Sequence, residues 1–141
     1  MHGRFPFKPL ASYTHLMKRE VPIWDRFIRA YPNFAESVDY DCICGKGPEV
    51  PENMGQPWKD DAKYLGSWKI DAVAFQSDNT YVIEVRPRAG LSAIGEVFMK
   101  MLMYRREHPD ATNPEPVLIT DQERPDMREL TAEHDIAFFV V

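Results

Sequence analysis

Charged residues stand inside two largely apolar runs: Asp71 within Trp68–Phe75, and Glu84 and Arg86 within Thr80–Arg86. Carboxylates and guanidinium groups are costly to bury unless they are paired or ligated, so their types and spacing are the first chemical signal in the chain. Alternation and β-branched or aromatic content make both runs strands. The polar turn Gln76-Ser77-Asp78-Asn79 joins them as a hairpin. Period two then sets Tyr81, Ile83 and Val85 on one face of the second strand, and Val82, Glu84 and Arg86 on the other. Such a hairpin can gather Asp71, Glu84 and Arg86 into one cluster. The alternative is a surface ion pair between Glu84 and Arg86 with no further role.

An acid on one strand, a spacer and turn, then Glu-x-basic on the next resembles the PD-(D/E)xK, or restriction-endonuclease-like, superfamily. Glu84-Val85-Arg86 stands where Glu-x-Lys is expected. The likeness continues through Pro87-Arg88-Ala89-Gly90-Leu91-Ser92-Ala93-Ile94-Gly95, a turn into a helix, and residues 69–141 resemble small nuclease-fold proteins encoded by tailed phages. The resemblance implies that Asp71 and Glu84 hold a divalent metal, usually magnesium. It implies that the motif cation orients the attacking water and stabilises the developing phosphorane. Hard oxygen ligands suit magnesium, and a metal beside a cation suits phosphodiester hydrolysis. In many relatives a helix ahead of the sheet supplies another acid, which makes Glu20 the candidate third ligand and Asp25 its reserve. Both also fit solvated acids near a helix start. Two departures matter. Arg86 replaces a compact, titratable ammonium with a wide fork that stays protonated, and Glu96 stands where many relatives carry glutamine.

Positioning these groups requires a sheet with helices packed on it. Residues 20–31 have Trp24, Phe27, Ile28 and Tyr31 at helical spacing, with Pro22 tolerated in the first turn and Pro32 as a stop. Residues 37–44 alternate as a strand. A long loop, 45–66, follows, rich in Gly, Pro, Asn and charge, with room for a short helix near 57–65. After the hairpin, 91–107 reads as a helix whose packing face is Leu91, Ile94, Val97, Phe98, Met101 and Leu102. A strand at 116–120, a helix at 125–134 and a strand at 136–141 complete a strand–helix–strand–helix–strand series, which implies parallel crossovers onto one mixed sheet. The expected fold is α/β: a restriction-endonuclease-like mixed sheet flanked by helices, one domain over 20–141, preceded by an extended N-terminal arm over 1–19.

At 141 residues the chain is long enough for one domain with a real core. The formal charge is −5, unevenly spread: residues 1–30 hold six Lys/Arg against two acids, and 111–141 hold two against seven. A broad basic face, the usual mark of a polyanion binder, is lacking. Any DNA contact is therefore expected to be local, at Arg4 and Lys8 in the arm or around Arg86, Arg88, Arg105 and Arg106. The only cysteines, Cys42 and Cys44, are too close in sequence for a structural disulfide and too few for a zinc site. With no run of membrane length, these free thiols set the expectation of a soluble protein of the host cytoplasm, without membrane contact.

Phe5, Phe7 and Tyr13 are poor choices for a free tail, since each ring gains from burial. Set among Arg4, Lys8, Lys18 and Arg19, they either pack the arm on its own domain or carry it to a neighbouring subunit or a nucleic-acid backbone; docking on the acidic 111–141 region of another copy is the expected arrangement. With Arg86 in place of lysine and an acidic net charge, the sequence reads first as a degenerate nuclease-fold protein. It would serve a homo-oligomer or larger phage assembly, such as the head–tail connector of a virion. The alternative is an active magnesium-dependent DNA endonuclease or exonuclease using Asp71, Glu84 and Arg86.

Overall fold

A computed structural model describes residues 3–141; Met1 and His2 of the arm lie outside it. Its elements are β1 (Phe5–Pro6), α1 (Val21–Ala30), β2 (Ser37–Cys44), α2 (Trp58–Gly66), β3 (Trp68–Gln76), β4 (Asn79–Val85), α3 (Leu91–Glu107), β5 (Pro114–Thr120), α4 (Met127–Glu133) and β6 (Ala137–Val140). The six strands form one mixed sheet in chain order, antiparallel from β1 to β4 and parallel from β4 through β6. The two parallel steps are made by α3 and α4, as the alternating strand and helix patterns require. Among the described residues, no helix is long and apolar enough to cross a membrane.

Side-chain period two sorts the sheet into two packed faces. On one, Val38, Tyr40, Ala72, Ala74, Ile83, Val85, Val117 and Ile119 meet Ile23, Trp24, Phe27 and Ile28 of α1. The indole N–H of buried Trp24 donates to the Tyr40 hydroxyl at 2.9 Å, which satisfies both polar tips inside that layer. On the other face, Val73, Phe75 and Val82 meet Met101 and Tyr104 of α3, while Leu118 meets Val97 of α3 and Met127 of α4. The central strand β4 is therefore covered on both sides, and Glu84 is carried into the interior with it.

The N-terminal arm departs from expectation. Phe5 and Pro6 pair with Val38 and Ser37, adding the arm to the sheet as its edge strand. Phe7 is buried, edge-on to Trp24 and Phe27 and tilted against Phe34. Tyr13 packs on the same layer, edge-on to Tyr40. The aromatic area expected to dock on a partner is thus spent within the chain, because α1 alone leaves the far end of this face uncovered. Phe7 is a core residue, and Phe5 packs against that core partly buried. Arg4 is held by Asp39 of β2, through its backbone N–H at 2.7 Å and its guanidinium at 3.4 Å. Phe7→Ala is expected to cost about 3 kcal/mol or more, read as a shift in the denaturant midpoint. An unchanged midpoint would return the arm to a partner-docking role.

The 45–66 segment does contain a helix, α2, but that helix buries none of its residues. Trp58 and Leu65 are exposed there, and α2 is capped at its C-terminal end, where the Ser67 hydroxyl donates to the Lys63 carbonyl.

Candidate active site

The site forms where the sheet is opened between β3 and β4. Their pairing runs from Gln76↔Asn79 to Ala72↔Ile83 and stops there. The β2–β3 ladder skips at the same level, passing from Tyr40↔Ala72 to Cys42↔Ile70, with Asp41 in the left-handed region at φ +55°. Below this point both strands turn over. Tyr40 and Ala72 pack toward α1, whereas Cys44 and Ile70, which period two would put on the same side, pack toward α3. A local swivel of this kind is a common way to re-aim a side chain at a sheet opening.

Asp71 lies at the swivel. Its Oδ2 accepts the Val85 backbone N–H at 2.8 Å, a donor that an uninterrupted β3 would have paired with its own backbone. The carboxylate therefore completes the sheet and is itself fixed in the gap. Beside it, Glu84 is 1% exposed, so its charge has no access to water and must be met by protein groups. Burial, then the neighbouring Asp71 charge, pushes the Glu84 carboxyl well above the usual carboxylate range. Burial likewise raises that of Asp71, against the pull of the Val85 N–H.

Two cations close the cluster, and one was not foreseen from sequence. Lys100 of α3 is buried and donates from Nζ to Glu84 Oε1 at 3.0 Å. The Arg86 guanidinium stands 3.5 Å from Glu84 Oε2 and makes its close hydrogen bond with Glu96 of α3 instead. Glu96 and Lys100 are one helical turn apart, so α3 presents an acid and a base side by side to the end of β4. Arg86 remains about one-third exposed at the rim, whereas Lys100 occupies the interior position.

On the opposite side of the gap, Glu20 at the start of α1 is buried rather than solvated. One of its oxygens accepts the Met17 N–H at 3.1 Å. Burial first, and Asp71 second, raises its carboxyl. Asp25, the reserve ligand, faces outward and pairs with Arg29 one turn on. The sequence-predicted trio of Asp71, Glu84 and Arg86 is thus brought together with Glu20 nearby. The cluster lies inside the sheet, where antiparallel and parallel halves meet, rather than along an edge. Arg88, at φ +48° in the 87–90 turn, is exposed, with its N–H donating to Asp121. Lys8 is exposed beyond β1.

Lys100 is a charge inside the apolar run Met99–Met103, but that run is apolar on every side and does not mark the lysine's face as the inner one. The buried residues of α3 are Ala93, Val97, Lys100, Met101 and Tyr104, so a lysine sits on the stripe that meets the sheet. The face expected from hydropathy was rotated from this one, and Leu91, assigned to the core, is 69% exposed.

Four carboxyls (Glu20, Asp71, Glu84, Glu96) face two cations (Arg86, Lys100), which leaves the fully ionised cluster two negative charges in excess. Among the described residues, no three acid, histidine or cysteine side chains converge as a preassembled metal shell. The donor set nonetheless fits magnesium, which is held by one or two carboxylates together with waters and phosphate oxygens. No family model, curated protein or solved structure matches the chain.

Proposed function

We propose that this chain is a metal-dependent phosphodiesterase of the PD-(D/E)xK type, acting on nucleic acid, with the motif lysine supplied by α3 instead of by the strand. The observation that carries this reading is the 3.0 Å contact between buried Lys100 and Glu84, on a carboxyl whose ionisation the neighbouring Asp71 charge opposes. A bound magnesium would supply Lewis-acid stabilisation of phosphate charge and a more acidic water. Asp71 and Glu84 would hold it, with Glu20 as a further carboxylate beside them. Lys100 would hold the attacking water against Glu84 and donate to a non-bridging phosphoryl oxygen as the water oxygen bonds to phosphorus; the P–O bond to the leaving alcohol breaks, and the proton the water gives up is returned by solvent to the leaving oxygen. Arg86 positions Glu84 from the rim.

Physical cost supports a working site over a relic. Two adjacent buried carboxyls and a buried lysine destabilise a fold relative to apolar residues of similar size. Clusters of shifted ionisable groups of this kind are concentrated at functional sites. The reading as a degenerate virion component rested on Arg86, on the acidic balance and on an ordered aromatic arm. Lys100 supplies the ammonium that Arg86 lacks, and the arm is occupied by its own core. The resemblance to phage-encoded nuclease-fold proteins makes the host cytoplasm the expected setting.

The test is cleavage of end-labelled DNA in millimolar MgCl2 or MnCl2. Cleavage is expected to stop on chelation and to fall at least a hundredfold in Asp71→Asn. Activity that survives both treatments would remove Asp71 and the metal from the reaction.

A further inference from the structure

Gly95 lies in the interior of α3, where glycine weakens a helix by about 1 kcal/mol relative to alanine. Nothing in the fold requires it: a Cβ built there meets no atom within 4 Å. What the missing side chain does is keep open a groove of about 330 Å³ walled by Trp68, Met99, Met103, Glu96 and Lys100. The Trp68 indole is 62% exposed at the head of β3, three residues before Asp71, where an apolar ring of this size gains nothing from the protein core. At Met103 the groove meets a second hollow of about 410 Å³, bordered by Lys46 and Arg106. Among the described residues, neither of these cations has an ion-pair partner. The acids along this wall are engaged elsewhere: Glu96 holds Arg86, and Glu107 accepts the Gly45 N–H at 2.8 Å.

We infer that this groove is a stacking subsite for an unpaired nucleobase, with Trp68 as the platform, Gly95 as the cleared floor, and Lys46 and Arg106 as contacts for the flanking phosphates. An aromatic face with thioether walls accepts any base, while neighbouring cations follow the backbone, which is the general chemistry of single-strand binding. Lys100 and Glu96 line the groove and also belong to the acid cluster, so a strand seated here runs directly into the site. Bases locked in a duplex cannot enter a groove of this depth without unstacking. The inference rests on the phosphodiesterase reading for its biological sense, and makes that site one that selects single strands or frayed ends.

Binding without turnover separates the two. Fluorescence anisotropy of a labelled oligothymidylate is measured with metal-free protein, against an abasic strand and a duplex of equal length. Wild type is expected to bind oligothymidylate on the order of tenfold more tightly than either. Trp68→Ala and Gly95→Leu should each remove that preference, and Gly95→Leu should do so without lowering the thermal midpoint. Equal binding of thymidylate and abasic strands, or unchanged preference in both variants, would overturn the inference even if cleavage is found. Self-association of wild type that Gly95→Leu abolishes would also overturn it, assigning the groove to a second copy. Selective binding by a protein that cleaves nothing would leave the subsite standing and remove the catalytic reading instead.

Discussion

Lys100→Met is expected to lower the rate of metal-dependent cleavage by about a hundredfold to ten-thousandfold at saturating DNA, whereas Arg86→Met should cost about tenfold or less. The difference follows from where the two cations sit. Lys100 is buried with its ammonium on Glu84 Oε1, and Arg86 is a rim residue whose principal partner is Glu96. A guanidinium already engaged by one carboxylate has little to give a transient phosphorane, and it cannot lower its charge to help a water lose a proton. Arg86→Lys should therefore have a small effect in the wild-type background and should fail to rescue Lys100→Met. Removing one member of a buried pair can also cost roughly 3–5 kcal/mol of stability, so rates are compared well below the melting temperature of each variant. A larger loss in Arg86→Met than in Lys100→Met would return the motif role to the strand.

How much of this could be read from the chain differs by element. The strand–helix–strand–helix–strand half was legible because its apolar runs are separated by polar breaks, most of them carrying proline, such as Pro87, Pro109 and Pro125. Asp71 and Glu84 were legible for a related reason: a carboxylate inside an apolar strand is a local anomaly, visible without knowing what lies across from it. Lys100 is the same kind of anomaly, but in the run Met99-Lys100-Met101-Leu102-Met103 apolar residues fall on every side of the helix. Sequence then gives no preferred stripe, and the packing of α3 across β4 and β5 decides which face is inside. The arm was misjudged because burial of Phe7 depends on a vacancy left by α1, a tertiary fact with no local signature. The swivel at Asp41 and Asp71 was likewise invisible. It is a property of two strands together, and no glycine marks the left-handed residue.

A fold built around excess buried negative charge should be least stable, without metal, at the pH where an enzyme of this kind works. Burial and the Asp71 charge raise the Glu84 carboxyl from its ordinary range to about 8, and those of Asp71 and Glu20 move in the same direction. The sign follows from proton counting. Above the ordinary carboxylate range the unfolded chain has released these protons while the folded chain keeps them, so stability declines as pH rises. For Glu84 the decline starts near pH 4.5, where the unfolded carboxyl titrates, and ends once pH passes about 8. The metal-free thermal midpoint is therefore expected to fall by roughly 10 °C between pH 5 and pH 8.5, the equivalent of a few kcal/mol in a domain of this size. A divalent cation acts oppositely, since it binds the ionised carboxylates and only the folded state assembles them. Millimolar magnesium should restore most of the loss at pH 8.5 and change little at pH 5. Glu84→Gln should flatten both the pH slope and the magnesium response, because one of the two repelling charges is gone. Differential scanning calorimetry of wild type and variant, with and without metal at the two pH values, decides the matter. A metal-free midpoint that rises with pH over this range would mean that Asp71 and Glu84 are already fully compensated by Lys100 and Arg86, leaving no charge for a metal to meet.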